Sequence, residues 1–262
     1  MKKIFADKHR LHRLCVILFF AGLLIYGCLA FRDYGISVDE NVERNSTLVT
    51  YKYLMPSVSD IVTDSVNFQE IEDLDTYTDR YYGVAVQLPM AVIEHLFGFE
   101  LPLRTVYLIR HFYTFALFFL AAVVFYFLGK RLTGSPWGAL LGTAMLVISP
   151  RMLAESFYNI KDIVFLSFVI YNLYAAAVFL DKPSVKHGVI LAVVSALCTN
   201  VRIVGAVVIA SCMLVSLTQG IVQKQAGRRF LAAAGVSVLC IGLYILSMPV
   251  LWKDPVGELI QT

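Results

Sequence analysis

RTVYLIRHFYTFALFFLAAVVFYFL, residues 104–128, is the stretch that decides the fold class. After Arg110 and His111 it contains no charged residue. As a helix it would be about 37 Å long, and the hydrocarbon core of a bilayer is about 30 Å thick. Its length and apolar character therefore predict a membrane-spanning helix rather than a helix of a water-soluble core.

Comparable apolar runs recur along the 262 residues, of which 58% are hydrophobic and 16% charged. Soluble domains carry about 25% charged residues. We therefore predict an all-α polytopic membrane protein, a single transmembrane domain over residues 1–262 with about seven transmembrane helices. The predicted spans are roughly 14–31, 104–128, 136–150, 160–180, 187–200, 203–220 and 229–248.

The apolar stretch 187–220 is too long for one span, because a single helix of that length would measure about 51 Å. Two short helices that meet near Asn200 and Arg202 fit better. With two spans, Lys224 and Arg228 fall on the same side as the basic N-terminus, as the positive-inside rule requires. We predict a cytoplasmic N-terminus, with residues 14–31 retained as a signal anchor.

Residues 32–103 are predicted to form the first extracytoplasmic loop, because residues 33–100 contain 13 acidic and three basic side chains. A loop this long should contain its own elements. We expect Asp39 to cap a helix over about 40–55, ended before Pro56. The apolar segment 87–99 is too short to span and predicts a helix in the membrane interface.

Polar side chains cluster at one predicted face of the membrane. They comprise Asp39 and Glu40, Arg110 and His111, residues 151–162, and the break at 200–202. If residues 151–162 are one helix, Arg151, Glu155, Tyr158 and Asp162 form a polar stripe. Such residues are costly in a membrane and often face a cavity. Each also has a structural interpretation: a helix cap for Asp39, salt bridges for the stripe and Arg202, and snorkelling for Arg110.

The order of these motifs resembles the GT-C superfamily of polyprenyl-phosphate-sugar glycosyltransferases, close to its family 39 protein mannosyltransferases and aminoarabinose transferases. The resemblance rests on the following segments: Gly35–Glu40, Tyr81–Gly83, Gln87–Pro89, Leu96–Gly98, Ser149–Arg151, Asn159–Asp162 and Thr199–Gly205. It extends over almost the whole chain. Family members are usually longer, so the resemblance also implies that this chain is an N-terminal part of such a protein or a reduced form.

The resemblance implies transfer of a sugar, with inversion, on the extracytoplasmic face of the plasma (inner) membrane. The donor would be a polyprenyl-phosphate sugar and the acceptor a protein, lipid or glycan. Asp39, with Glu40, would be the catalytic carboxylate. Asp162 and Glu155 would form the second acidic motif, and Tyr82 and Tyr158 would shape the acceptor side. The donor phosphate would be bound by Arg202, Lys161, Arg151 and Arg110.

Two other function classes remain open on the sequence. A transporter or flippase of a lipid-linked sugar would use the break at 199–202 as a discontinuous helix. A non-catalytic partner subunit is the third alternative. No nucleic-acid partner, metal site or cofactor is predicted, and a divalent cation would be compatible with the chemistry but has no support in the sequence.

Overall fold

The computed structural model describes residues 2–261, with side-chain environments for residues 10–259. In this part of the chain the fold is all-α, with 76% helix and no strands, which confirms the predicted class. Eleven α-helices are described: α1 Lys2–Ala30, α2 Val38–Leu54, α3 Leu88–Leu96, α4 Leu103–Thr133, α5 Pro136–Ile148, α6 Pro150–Tyr158, α7 Asp162–Asp181, α8 Val185–Val201, α9 Ala206–Val222, α10 Ala226–Ser247 and α11 Pro255–Gln261.

Five described helices are long and apolar enough to cross a membrane, as expected of a multi-pass membrane protein: Arg10–Ala30, Leu103–Thr133, Asp162–Asp181, Ile203–Val222 and Ala226–Ser247. Helices α5 and α6 would make a sixth span only as a pair, and they are bent by 64°. Helix α8 has 17 residues, about 25 Å, which is short of the bilayer core. The predicted count of seven is therefore not confirmed.

Helices α8 and α9 form an antiparallel pair that turns at Arg202, where the sequence predicted a break. Gly188, in the first turn of α8, lies against Phe179 at the end of α7. Gly220, near the end of α9, packs on Arg229, whose Nη1 donates to the carbonyl of Leu180, also at the end of α7. The outer termini of the pair therefore lie together, and Arg202 lies at the opposite end of the bundle.

We call these two ends of the helical bundle the site end and the far end. At the site end Arg202 pairs with Asp162, in the first turn of α7. At the far end Arg131, in the last turn of α4, pairs with Asp181, the last residue of α7. The side chains of Lys2, Lys3 and Lys8, which entered the prediction of orientation, lie outside the described ones.

The bundle has two main apolar cores around α7. One lies among α7, α8, α9 and α10 and includes Phe179, Leu191 and Tyr244. The other lies among α1, α4, α5, α6 and α7, where the rings of Phe115 and Phe157 stack with centroids 5.0 Å apart. These cores fix the positions from which the polar side chains of the site end project.

The segment between α1 and α4 has its own small core, built from Leu48, Tyr51, Phe68 and Phe99 among others. Helix α2 begins at Val38 with Ser37 as its N-cap, so the expectation that Asp39 caps it is wrong by two residues. The backbone N–H of Ser37 donates to Glu40 at 2.8 Å, the second half of a capping box. Segment 87–99 does contain a helix, α3, which packs on α2 and α4.

Candidate active site

The acidic pair at the start of α2, Asp39 and Glu40, consists of one exposed and one buried side chain. Glu40 is 1% exposed. Its carboxylate accepts the hydrogen bond from the backbone N–H of Ser37 and also lies 3.0 Å from Nε2 of His111. Asp39 is exposed and has no hydrogen-bond or ion-pair partner among the described residues. Glu40 therefore anchors α2 to α4, whereas the carboxylate of Asp39 is open to an incoming molecule.

One turn further along α2, Glu43 reaches the corner between α6 and α7. Its carboxylate lies 2.9 Å from Nζ of Lys161 and accepts a 2.5 Å hydrogen bond from Gln87. The ammonium group of Lys161 also lies 3.6 Å above the ring of Tyr82, a cation–π contact. Because residues four apart share one face of a helix, Asp39 projects on the same side of α2 as Glu43.

Beneath α2, one buried carboxylate forms ion pairs with two buried arginines. Glu94 on α3 forms a two-atom contact with Arg44, with distances of 2.6 and 3.1 Å, and lies 3.8 Å from Arg110. Arg110 is 1% exposed and donates to Gln87 at 3.2 Å. It is thus enclosed between the loop and α4, and does not line the cleft described below.

Asp162, of the predicted second acidic motif, lies where α6 meets α7. Asp162 begins α7 and pairs with Arg202, at the turn between α8 and α9. The side chain of Asn159, two residues before the N-cap Lys161, accepts from the backbone N–H of Asp162 at 2.8 Å. The pair is half exposed, with 54% of the Asp162 side chain and 41% of the Arg202 side chain in contact with solvent or lipid.

The predicted stripe over residues 151–162 is only partly correct, because α6 ends at Tyr158 and Asp162 belongs to the next helix. Arg151 does bind Glu155 one turn away, at 2.7 Å, and Glu155 also accepts from Asn159 at 3.1 Å. The side chain of Arg151 is 77% exposed and also lies outside the cleft. Helix α6 ends because the backbone of Asn159, its C-cap, leaves the helical region with φ −89° and ψ 79°.

Asn200, in the last turn of α8, fastens the loop to the bundle. Its Oδ1 accepts from the backbone N–H of Ala85 at 3.0 Å, and its Nδ2 donates to both the carbonyl and the hydroxyl of Ser247 at 3.1 Å. Gly83 lies so close to Asn200 that an added Cβ would be 2.1 Å from its carbonyl oxygen. This amide therefore joins α8, α10 and the segment that carries Tyr82.

These contacts surround a cleft of about 360 Å³ at the site end. Its polar lining includes Lys161, Arg202 and Asn200, and its apolar edge includes Ile203 and Val204, which are 46% and 61% exposed. The remaining lining residues are Thr78, Asp79, Tyr81, Tyr82, Gly83, Thr199, Val201 and Tyr244. Two cations beside an exposed apolar edge suit a ligand with an anionic head and a hydrocarbon tail.

The linker between α1 and α2 packs against α6 through aromatic rings. Tyr34 stacks on Phe157 at 4.5 Å and lies 5.8 Å from the ring of Tyr158. Partial burial and the neighbouring hydroxyl of Tyr26 raise the pKa of Tyr34 to about 12. Tyr158 also accepts a hydrogen bond from Ser37 through its carbonyl oxygen, so it lies between the start of α2 and the end of α6.

The structure brings Lys161, Arg202 and Tyr82 together in the lining of one cleft, with Asp162 paired to Arg202. Asp39 is not among the lining residues; it lies on α2 one turn before Glu43, the partner of Lys161. Glu43 and Glu94 were not among the predicted site residues, because their partners are distant in the chain. The spacing of Glu43 four residues after Asp39 was the available signal for the first. Among the described residues, His, Cys, Asp and Glu side chains form no group of three that could hold a metal ion.

Comparison of the chain with protein-family models, with curated proteins and with solved structures found no match.

Proposed function

We propose that this protein is a membrane glycosyltransferase of the GT-C type. It would transfer a sugar from a polyprenyl-phosphate donor to a protein, lipid or glycan acceptor at the extracytoplasmic face, with inversion. The observation that carries the proposal is the cleft in which Lys161 and Arg202 stand beside the exposed apolar residues Ile203 and Val204. The ordered resemblance of the sequence motifs supports the same class.

In this proposal the cleft holds the phosphate and the bilayer holds the polyprenyl chain. Lys161 and Arg202 would donate charge-assisted hydrogen bonds to the phosphate oxygens, which gain negative charge as the bond to the sugar breaks. Glu43 and Asp162 hold these two cations in place before the donor arrives. The hydrocarbon chain would leave the cleft over Ile203 into the lipid.

Asp39 would be the general base. Its carboxylate is exposed and unpartnered among the described residues, so it can accept a proton from an acceptor hydroxyl without first breaking an ion pair. Asp39 lies one turn before Glu43, the partner of Lys161, and in this proposal its carboxylate would face the Lys161 edge of the cleft. Attack on the anomeric carbon from the side opposite the phosphate would then invert the configuration.

The proposal includes the orientation predicted from charge. The site end would face the extracytoplasmic side of the plasma (inner) membrane, and the far end, with its basic residues, the cytoplasm. Arg110 and Arg151 have no place in this phosphate site, because Arg110 is enclosed beneath α2 and Arg151 is paired with Glu155 and absent from the cleft lining. Glu40, predicted as part of the catalytic pair, and Glu155, predicted in the second acidic motif, are instead proposed to position α2 and α6 through His111 and Asn159.

The test is sugar transfer from a polyprenyl-phosphate donor by the purified full chain in lipid nanodiscs. Asp39→Asn should lower the rate by at least about a hundredfold, because removal of a general base costs about 10²–10⁴ in rate. Asp60→Asn, another exposed acid of the same loop, is the matched control and should retain the wild-type rate. Transfer by Asp39→Asn at the control's rate would refute the assignment.

A further inference from the structure

A second cleft lies at the far end of the bundle, away from the residues of the proposed function. It measures about 470 Å³ and is bounded by the beginnings of α8 and α10. Its apolar surface includes Val185, Val189 and Leu231, which are 85%, 43% and 72% exposed. In the proposed membrane orientation these exposed apolar side chains would face lipid, so the cleft would be open to a hydrocarbon chain.

The rim of this cleft is cationic. Arg228 is exposed and has no ion-pair partner among the described residues. Arg229 beside it is 5% exposed; its Nη1 donates to Leu180 at 3.0 Å and its Nη2 to Gln223 at 3.2 Å, whereas its Nε has no partner. Both of these acceptors are neutral, so the buried charge of Arg229 lacks a described countercharge.

Two helix N-termini add to the positive potential. Ser184, the N-cap of α8, and Gln225, the N-cap of α10, both line the cleft. The N-terminus of a helix carries about half a positive charge and attracts anions. Asp181, the nearby acid at the end of α7, is already paired with Arg131. The rim therefore matches a negatively charged headgroup.

We propose that the far-end cleft is a binding site for one anionic phospholipid. The phosphate lies at the rim formed by Arg228, Ser184 and Gln225, and an acyl chain follows the apolar surface towards Leu239. Basic pockets between transmembrane helices, on the side where positive residues concentrate, are a common site for anionic lipid headgroups. This site is independent of sugar transfer, so either proposal can fail without the other.

Native mass spectrometry of the purified full chain, titrated with phosphatidylglycerol or phosphatidylcholine, tests the proposal. One phosphatidylglycerol per chain should bind in preference to phosphatidylcholine. Arg228→Gln should weaken that binding about fivefold, and Lys130→Gln, an exposed cation of the far end outside the cleft, should leave it unchanged.

A second pair of variants tests the apolar part without changing charge. Gly235 lines the cleft and has open space where a Cβ would lie, so Gly235→Leu should occupy the path of the acyl chain and abolish selective binding. Gly242→Leu is the matched control, because this glycine of the same helix also has open space but lies outside the cleft. The proposal would be overturned if the two lipids bind equally well, or if the cleft variant and its control change lipid binding equally in either pair. It would also be overturned if the chain forms a dimer that Gly235→Leu dissociates.

Discussion

Replacement of Gly83 by alanine would push the loop segment that carries Tyr82 away from Asn200, at the end of α8. The new Cβ would lie 2.1 Å from the carbonyl oxygen of Asn200 and 2.5 Å from its side-chain Cγ, so backbone atoms must move. Overpacking of this kind costs about 1–3 kcal/mol. The movement also stretches the 3.0 Å hydrogen bond from Ala85 to Asn200, which is worth about 1 kcal/mol. We expect a total loss of about 2–4 kcal/mol in the free energy of unfolding.

Equilibrium unfolding by SDS in mixed micelles measures this loss. Gly35→Ala is the matched control, because this loop glycine has nothing within 4 Å of an added Cβ and should change stability by less than about 0.5 kcal/mol. Asn200→Ala combined with Gly83→Ala should stay destabilised, because the closest clash is with backbone. Equal stability of the two glycine variants would show that the loop is not docked on Asn200 as described.

Two further predictions concern buried charge and titration. Glu94→Gln leaves Arg44 and Arg110 without their shared carboxylate and should lower the free energy of unfolding by about 3–5 kcal/mol in the same assay. Glu100→Gln, which changes an exposed neighbour, is the control and should lower it by less than about 0.5 kcal/mol. Comparable losses in the two variants would refute the shared ion pair. Because its pKa is raised to about 12, Tyr34 contributes stability that is complete below about pH 10 and is lost as the pH rises from 10 to 12. In the ultraviolet difference titration of wild type against Tyr34→Phe, the phenol should titrate near pH 12, and titration near pH 10 would contradict its packing against α6.

Much of the fold could be predicted from hydrophobic run length. The long apolar helices α4, α7 and α10 appear where the sequence placed spans, and the break at Arg202 was indicated by the excess length of the stretch 187–220. The third predicted span, 136–150, matches α5 closely in its bounds, but α5 has only 13 residues and qualifies as a span only together with α6, which begins at Pro150 and is bent by 64° from it. Apolar composition alone does not show such a bend.

The site was predictable to the extent that its residues are consecutive in a motif. Lys161 and Asp162 follow one another and Arg202 lies at the predicted helix break, so that these three could meet was indicated by the sequence, whereas Asp39 does not line the cleft. Pairings across the fold could not be anticipated, since Glu43 meets Lys161 over a separation of 118 residues. Without the loop packing, nothing in the sequence separates the buried Arg110 from the accessible Arg202.

The most direct test of the account is an experimental structure of the full chain in a nanodisc with a bound polyprenyl-phosphate sugar. The account predicts that the phosphate lies within hydrogen-bond distance of Lys161 and Arg202, with the sugar turned towards Asp39 and the hydrocarbon chain passing over Ile203. A phosphate bound elsewhere, such as at Arg228 in the far-end cleft, with the site-end cleft unoccupied by donor, would contradict it.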